Sequence, residues 1–562
     1  MSDLEKNNTC GSDCGCGSQV DGYWQDVEKK VLTKKELTQE FDDNAFDSFS
    51  VQKTRRNFLK IMGFSVSALP LTGCIKIPVR KALPYLNKQP DTIPGVANWY
   101  ASTYNRTPIL LKTREGRPIK VEGNDKSLTS FGGTSAQDQA SVLSLYDSNR
   151  LRSALIDGSA VEWDNLDNAL KGAVSNAQGE IVVVTPSIFS PSEVALVKEF
   201  QAKFNASHVA YDATSKSAEV KANEMAFGAR ALTEYNFEAA NVVVSIGADF
   251  LGSYGNSVAN TKQYTRRRSA KHSEGMNKHI QVEAIMTMTG SNADYRYTKS
   301  LADQKDILLS VLAAVGGASH SASSNNKEVV AQIVKELKEN AGKSLLLVGD
   351  NDLNAQMIAY KINSLLGNYG STLWVPNNEG EVLADDMAFE SLVDKMSAGN
   401  VGAVFFVGVN PLYTFHNKEK LEKALAKVKT RVSFAMSADE TSVACNYVAP
   451  RNHPYESWSD TLVSSTEVSF TQPVIQPLFG SRMWTETFMS LLGTEGSFYD
   501  YMKARWSSKI DWNKSLHDGV VAINDSVQAS TDKAIAIKSY VADYKKVKSG
   551  NGLNIVTYQK YE

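Results

Sequence analysis

The chain has 562 residues, with 60 Lys+Arg against 62 Asp+Glu and a formal net charge of −2. At about 150 residues per domain this length implies three to four folding units and excludes a single small module. The balanced charge excludes a global positive field for nucleic acid, so a charged partner has to be met by a local patch, and no apolar stretch reaches the about 20 residues that a helix needs to cross a bilayer.

Residues 1–50 are polar and read as a flexible arm with one short helix over 21–37. They carry Cys10, Cys14 and Cys16 in a glycine-rich run. Three thiols could hold a soft metal but leave its coordination incomplete, and a disordered tail is the plainer reading. Residues 51–74 contain Thr54-Arg55-Arg56-Asn57-Phe58-Leu59-Lys60 and a short apolar run ending in Leu71-Thr72-Gly73-Cys74. The Arg55-Arg56 pair before such a run is an export address of the twin-arginine kind, with a basic-ended amphipathic helix as the alternative. The end of the run resembles a lipobox. Acylation of Cys74 would anchor the protein to a membrane surface, whereas an ordinary buried thiol would not.

Beyond Cys74 only Cys445 remains, so the body can form neither an internal disulfide nor a four-cysteine iron–sulfur cluster of its own. Residues 75–150 are expected to contain a small β-rich unit over about 96–124. Its runs Ile109–Thr113 and Arg117–Glu122 flank Glu115-Gly116, a hairpin signal. From there the pattern alternates. Trp163–Ala177 reads as a helix, Ile181–Thr185 as a buried strand, and Ser190-Pro191-Ser192-Glu193 as a capping box opening a helix, followed by a strand at Val209–Tyr211. Val242–Ile246, Leu345–Val348 and Val404–Val407 are apolar strands running into Gly247-Ala248-Asp249, Gly349-Asp350-Asn351 and Gly408-Val409-Asn410-Pro411. This is the grammar of parallel sheets with a ligand crevice at the strand ends. The expected fold class is α/β, with two doubly wound halves and a small β-rich N-terminal unit. The halves are placed at 151–335 and 336–470, with 471–562 returning to the first.

Neither a G-x-G-x-x-G turn, a phosphate loop nor a G-x-S-x-G elbow occurs, and the seven histidines show no helical metal spacing. Arg266-Arg267-Arg268 is the densest positive run and reads as a solvated loop, with docking onto an acidic partner or lipid headgroups as the alternative.

Gly116–Asn124, Gly132-Gly133-Thr134, Ser144–Asp147, Gly408–Pro411, Asp439–Thr441, Asn446–Pro450 and Glu456 together resemble the molybdopterin oxidoreductases. With the twin-arginine string, Lys112–Gly123, Gly290–Arg296 and Tyr455–Trp458, the sequence is similar, more narrowly, to the large periplasmic iron–sulfur subunit of alternative complex III, a quinol:cytochrome c oxidoreductase. In active members of the wider family a cysteine run binds a [4Fe–4S] cluster. Here the corresponding stretch Trp99–Thr107 has no thiol, and Ser135 and Gln137 stand where the fourth cysteine and a lysine are expected.

The resemblance therefore implies a degenerate, cofactor-free scaffold whose residues Gly247, Asp249, Gly408, Asn410 and Pro411 are vestigial pterin-side loops, with no catalytic residues and no metal in this chain. Iron–sulfur clusters are expected on a ferredoxin-like module outside this sequence. The implied partners are polytopic quinol-oxidising membrane subunits and a multihaem cytochrome c, at the periplasmic face of the cytoplasmic membrane. A surviving bis-pterin molybdenum site served by another subunit is the alternative. A lone ligand-binding lipoprotein is a third reading.

Overall fold

The computed structural model describes residues 93, 95–272, 274–377, 380–523, 537–546 and 555–556. Expectations for Cys10, Cys14, Cys16, Arg55, Arg56 and Cys74 lie outside the described residues. Among those residues no helix is long and apolar enough to cross a membrane.

The β-rich unit is a three-stranded antiparallel sheet of Asn98–Tyr104, Thr107–Arg114 and Arg117–Gly123. Glu115-Gly116 makes the expected tight turn with φ 54° and 75°. The first strand was not foreseen. It is joined to the second by Asn105-Arg106, both also in the left-handed region, at φ 44° and 64°. Two consecutive positive φ values match a two-residue hairpin loop to strand twist.

Two parallel sheets follow, and their membership differs from a division at 335/336. One sheet has seven strands, in the order Ser159–Val161, Ala154–Ile156, Tyr447–Val448, Thr430–Phe434, Val401–Val407, Glu180–Thr185 and Ser207–Ala210. Its last five strands are parallel, and the first two form an antiparallel edge hairpin. The other sheet has four parallel strands, in the order Tyr295–Thr298, Lys278–Glu283, Val242–Ile246 and Ser344–Val348. Ser344–Val348 thus belongs with the strands of the preceding hundred residues, while Val401–Val407 returns to pair with Glu180–Thr185. The physical reason is burial. Both Val401–Val407 and Val242–Ile246 are buried along their whole length and need a parallel neighbour on each side.

Helices cover these sheets. Trp484–Leu492 packs Phe488 against Phe200 of Pro191–Phe204 at a ring separation of 4.7 Å, over the seven-stranded sheet. Lys538–Lys546 buries Val541 and Tyr544 in the core of the four-stranded sheet. The C-terminal stretch therefore serves both sheets. It also contributes Val520–Ala522 to a small antiparallel sheet with Ser459–Ser464 and Glu467–Thr471. The N-terminal sheet is tied to this one by Thr103 and Ser469, whose hydroxyls lie 2.6 Å apart, and by Gln472 Nε2 donating to the Ala101 carbonyl at 2.8 Å.

The run Arg266–Arg268 is not a solvated loop. Arg266 and Arg267 close the helix Ser257–Arg267 and Arg268 is its C-cap. Arg267 is 2% exposed and binds Glu274 and Asn241, and Arg268 makes a bidentate pair with Asp294. Arg266 stays 47% exposed but lies 3.4 Å from Glu238, so each of the three guanidiniums has a partner within the chain.

A buried ion pair joins the helix Ala136–Leu145 to the segment beyond the seven-stranded sheet. Arg150 donates to both oxygens of Glu456, at 3.1 and 2.5 Å, and to the Leu145 carbonyl at 2.9 Å, while Glu456 also accepts from the backbone N–H of His453 and Leu478. Removing one partner strands the other charge in the interior. Arg150→Met is expected to cost about 3–5 kcal/mol of stability, read as a fall in the urea midpoint of the purified chain. A loss below about 1 kcal/mol, the scale of an exposed pair, would refute this role.

Candidate functional site

In an open parallel sheet the ligand crevice lies beyond the carboxyl ends of the strands, where the strand order reverses. This chain has two such points. In the four-stranded sheet, strands are added outward from Val242–Ile246 on one side and then Ser344–Val348 is placed on the other, so the crevice belongs between Gly247 and Gly349. The two glycine turns are in backbone contact there: Gly349 N donates to the Ile246 carbonyl at 2.9 Å, and a Cβ on Gly349 would lie 2.1 Å from the Gly247 oxygen. Asp249 is used internally, accepting from the Thr289 N–H at 3.0 Å and hydroxyl at 2.7 Å.

The seven-stranded sheet reverses between Glu180–Thr185 and Val401–Val407. Here the strand ends open onto a cavity of about 500 Å³, lined by Thr185, Ser187, Glu193, Val407, Arg451 and Trp484 among others. A space of about 210 Å³ adjoins it, and Arg106, Glu193, Arg451 and Trp484 line both. Arg106 reaches the cavity from the tight turn of the first hairpin. Its Nε and Nη2 donate to the carbonyls of Leu462 and Val463 at 3.1 and 3.0 Å, and its guanidinium lies 3.9 Å above the Phe189 ring. Arg451 follows Pro450 beyond the strand Tyr447–Val448. Its Nε is buried without a hydrogen-bond partner, as is the hydroxyl oxygen of Thr485, which is 1% exposed and lines the smaller space.

Glu193 turns into the crevice. Ser190 caps the helix Pro191–Phe204 as expected, but Glu193 does not complete a capping box and instead accepts from the Ser459 hydroxyl at 2.9 Å. Burial pushes its carboxyl up to about 7. The Ser459 hydrogen bond opposes the rise, the nearby Asp460 adds to it, and Arg451 also opposes it. Glu381 beside Arg106 is likewise pushed up to about 7 by burial.

The foreseen residues fall in three places. Gly247 and Asp249 lie at the strand ends of the four-stranded sheet. Gly408 lies at the crevice of the seven-stranded sheet, at φ 66°, where a Cβ would stand 3.1 Å from the Arg451 Cζ, so the guanidinium occupies the space that the glycine leaves. Asn410 does not face the cavity. It accepts from the Thr441 N–H and hydroxyl and donates to Glu440, while Pro411 starts the short helix Pro411–Thr414. Ser135 and Gln137 line a separate cleft of about 750 Å³ that Arg106 also borders. Ser135 acts there as the N-cap of Ala136–Leu145, in a reciprocal capping box with Asp138. No group of three His, Cys, Asp or Glu side chains suited to a metal occurs among the described residues. Burial pushes the Cys445 thiol up to about 12.

Sequence reasoning missed Arg106, Arg451 and Thr485 as crevice residues and assigned Glu193 to a cap. The one signal for Arg106 was an Asn-Arg pair between two β-prone runs.

Residues 158–491 match the sequence profile of the molybdopterin oxidoreductases, and the chain belongs to that family. It is similar, at 24% identity over 525 residues covering 80% of this chain and 74% of the relative, to the menaquinone reductase, molybdopterin-binding-like subunit of Nitratidesulfovibrio vulgaris (strain Hildenborough). Its fold is also that of acetylene hydratase from Pelobacter acetylenicus, with a TM-score of 0.59 and 12% identity over 75% of this chain and 74% of that one.

Two substitutions test these local assignments. Ser135→Ala, by removing an N-cap, is expected to cost about 1 kcal/mol. Gly408→Ala places a side chain in a left-handed conformation and against Arg451, and is expected to cost at least about 1–2 kcal/mol. Both are read by chemical denaturation, and an unchanged midpoint in either variant would contradict the corresponding role.

Proposed function

We propose that this chain is a cofactor-free scaffold subunit of a membrane-bound quinol:cytochrome c oxidoreductase of the alternative complex III type. The observation that carries the reading is that residues in the cofactor-facing positions are already used inside the protein. Asp249 is bonded to Thr289 and Asn410 to Thr441 and Glu440, the Gly247 turn is pressed against Gly349, and the Arg451 guanidinium fills the space at Gly408. Side chains engaged in this way are not offered to a bound pterin, which supports the cofactor-free reading. Ser135, at the position of a cluster ligand, is a helix cap. The similarity to a molybdopterin-binding-like subunit of a menaquinone reductase supports a place in a quinone-linked membrane complex.

In this reading the chain contributes geometry. Electron transfer needs redox centres held at fixed short separations, and a body with several cores and buried ion pairs is stiff enough to hold them. A ferredoxin-like iron–sulfur module, polytopic quinol-oxidising subunits and a multihaem cytochrome c are its proposed partners. Arg55 and Arg56 direct export, with Cys74 as the anchor at the periplasmic face of the membrane.

Purified full-length chain is expected to contain neither molybdenum nor iron by elemental analysis, and no pterin by fluorescence after acid oxidation. In mild detergent it should co-purify with haem-bearing and polytopic partners. Stoichiometric molybdenum or pterin, or isolation of the chain without partners, would overturn the proposal.

A further inference from the structure

We infer that a groove beside the N-terminal sheet binds an extended, proline-containing segment of a partner protein against Tyr100 and Trp458, with a lysine or arginine of that segment held by Glu115 and Glu486. The inference deepens the scaffold reading, on which it rests for the presence of a partner.

The groove has a volume of about 620 Å³. Tyr100 reaches it from the edge strand Asn98–Tyr104, Glu115 from the following hairpin turn, and Glu486 from the first turn of the helix Trp484–Leu492. Its remaining wall is the stretch 473–477, which forms neither strand nor helix. That wall offers little to pair with a β-strand. Pro473 and Pro477 have no N–H, and the Val474 N–H is spent on the Tyr455 carbonyl at 2.9 Å. What it presents is apolar surface, which suits a ligand whose backbone needs no ladder.

A polyproline II segment is such a ligand. It has no internal hydrogen bonds, lays its proline rings on aromatic faces and leaves its carbonyls open to donors. Tyr100 is 39% exposed. Trp458 is half-buried, packed on Tyr499 at a ring separation of 4.6 Å. The indoles of Trp506 and Trp512 donate to Asp460 and Tyr499, whereas the Trp458 indole N–H has no acceptor among the described residues. An aromatic face and an uncommitted donor therefore line one groove.

Charge complementarity sets the sign of the occupant. Four charged side chains line the groove: Glu115, Glu456, Arg482 and Glu486. Two of them are matched within the chain, Glu456 by Arg150 and Arg482 by Asp167. Arg482 lies near Glu486, but its Nη atoms donate to Asp167 and its Nε to the Thr487 hydroxyl at 2.9 Å. Glu115 and Glu486 are left with no ion pair among the described residues, so the groove carries an excess of two carboxylates. A cationic side chain meets them without breaking any existing pair, and an anionic one is repelled.

The test is fluorescence anisotropy of a dye-labelled polyproline peptide with one central arginine, titrated with the purified full chain, beside a twin peptide with glutamate in that place. The arginine peptide is expected to bind saturably at one site and the glutamate twin not to bind. Glu486→Gln should weaken binding by about tenfold or more, the loss of a charged hydrogen-bonding partner. Glu115→Gln should weaken it by about two- to fivefold, the scale of an exposed pair, and Glu115→Lys by more. Glu115 is exposed in a turn, so its variants report on the groove even where a change at Glu486 disturbs folding. Glu419→Lys, on the exposed face of the helix Lys418–Leu425, should leave the affinity unchanged. Absence of saturable binding, equal binding of the two peptides, or an affinity that Glu115→Lys does not alter overturns the inference. These readouts concern the groove of the isolated chain, whereas the scaffold reading fails on bound metal, pterin or a lack of co-purifying partners, so the two failures are distinguishable.

Discussion

The parallel pairing of Val401–Val407 with Glu180–Thr185 is the constraint on which the rest of the molecule depends. Parallel neighbours cannot be joined by a tight turn and require a crossover. Here the crossover runs through an entire second sheet before it returns. Because Val401–Val407 is buried at every position, it must be flanked on both sides, and Glu180–Thr185 and Thr430–Phe434 supply the flanks. The ends of the two central strands therefore lie side by side while the chain leaves them in opposite directions. The crevice at Thr185 and Val407 follows from topology, before any side chain is chosen.

What fills that crevice then follows from local chemistry. Glu193 sits three residues after an N-cap serine, where a glutamate ordinarily reaches back to the cap N–H. It faces Ser459, Arg451 and Asp460 instead. Asp460 is itself saturated, accepting from the Ser190 and Ser192 hydroxyls, the Ser192 N–H and the Trp506 indole. Glu193 is thus the carboxyl beside Arg451 whose charge is free to respond.

Much of the fold was legible in the sequence, because short, mostly apolar runs ending in glycine have few alternatives to buried parallel strands. Val242–Ile246, Ser344–Val348 and Val401–Val407 are all of this kind. Which strand joins which sheet was not legible, since periodicity reports that a strand is buried and says nothing of its neighbour. The division at 335/336 rested on order along the chain, and the return of Val401–Val407 past the intervening sheet carries no local signature. The site was less legible still. Arg106, Glu193 and Arg451 lie far apart in sequence and meet only through a hairpin turn, a helix start and a loop after an edge of the parallel region.

The foreseen residues and the missed ones also differ in how their polar atoms are satisfied. Ser135 caps a helix, Asp249 holds Thr289, and Asn410 holds Thr441, so each has been absorbed into the framework. Reopening any of them for a ligand would break existing bonds and leave a partner unpaired, which is costly in an interior. Among the described residues eight buried side-chain atoms lack a partner, and two of these belong to Arg451 and Thr485, residues near the reversal point of the main sheet. Native interiors tolerate few such atoms. The groups that the family resemblance singles out are thus held by partners within the chain, whereas the atoms left unpartnered, Arg451 Nε and the Thr485 hydroxyl among them, lie at residues that local sequence patterns do not mark.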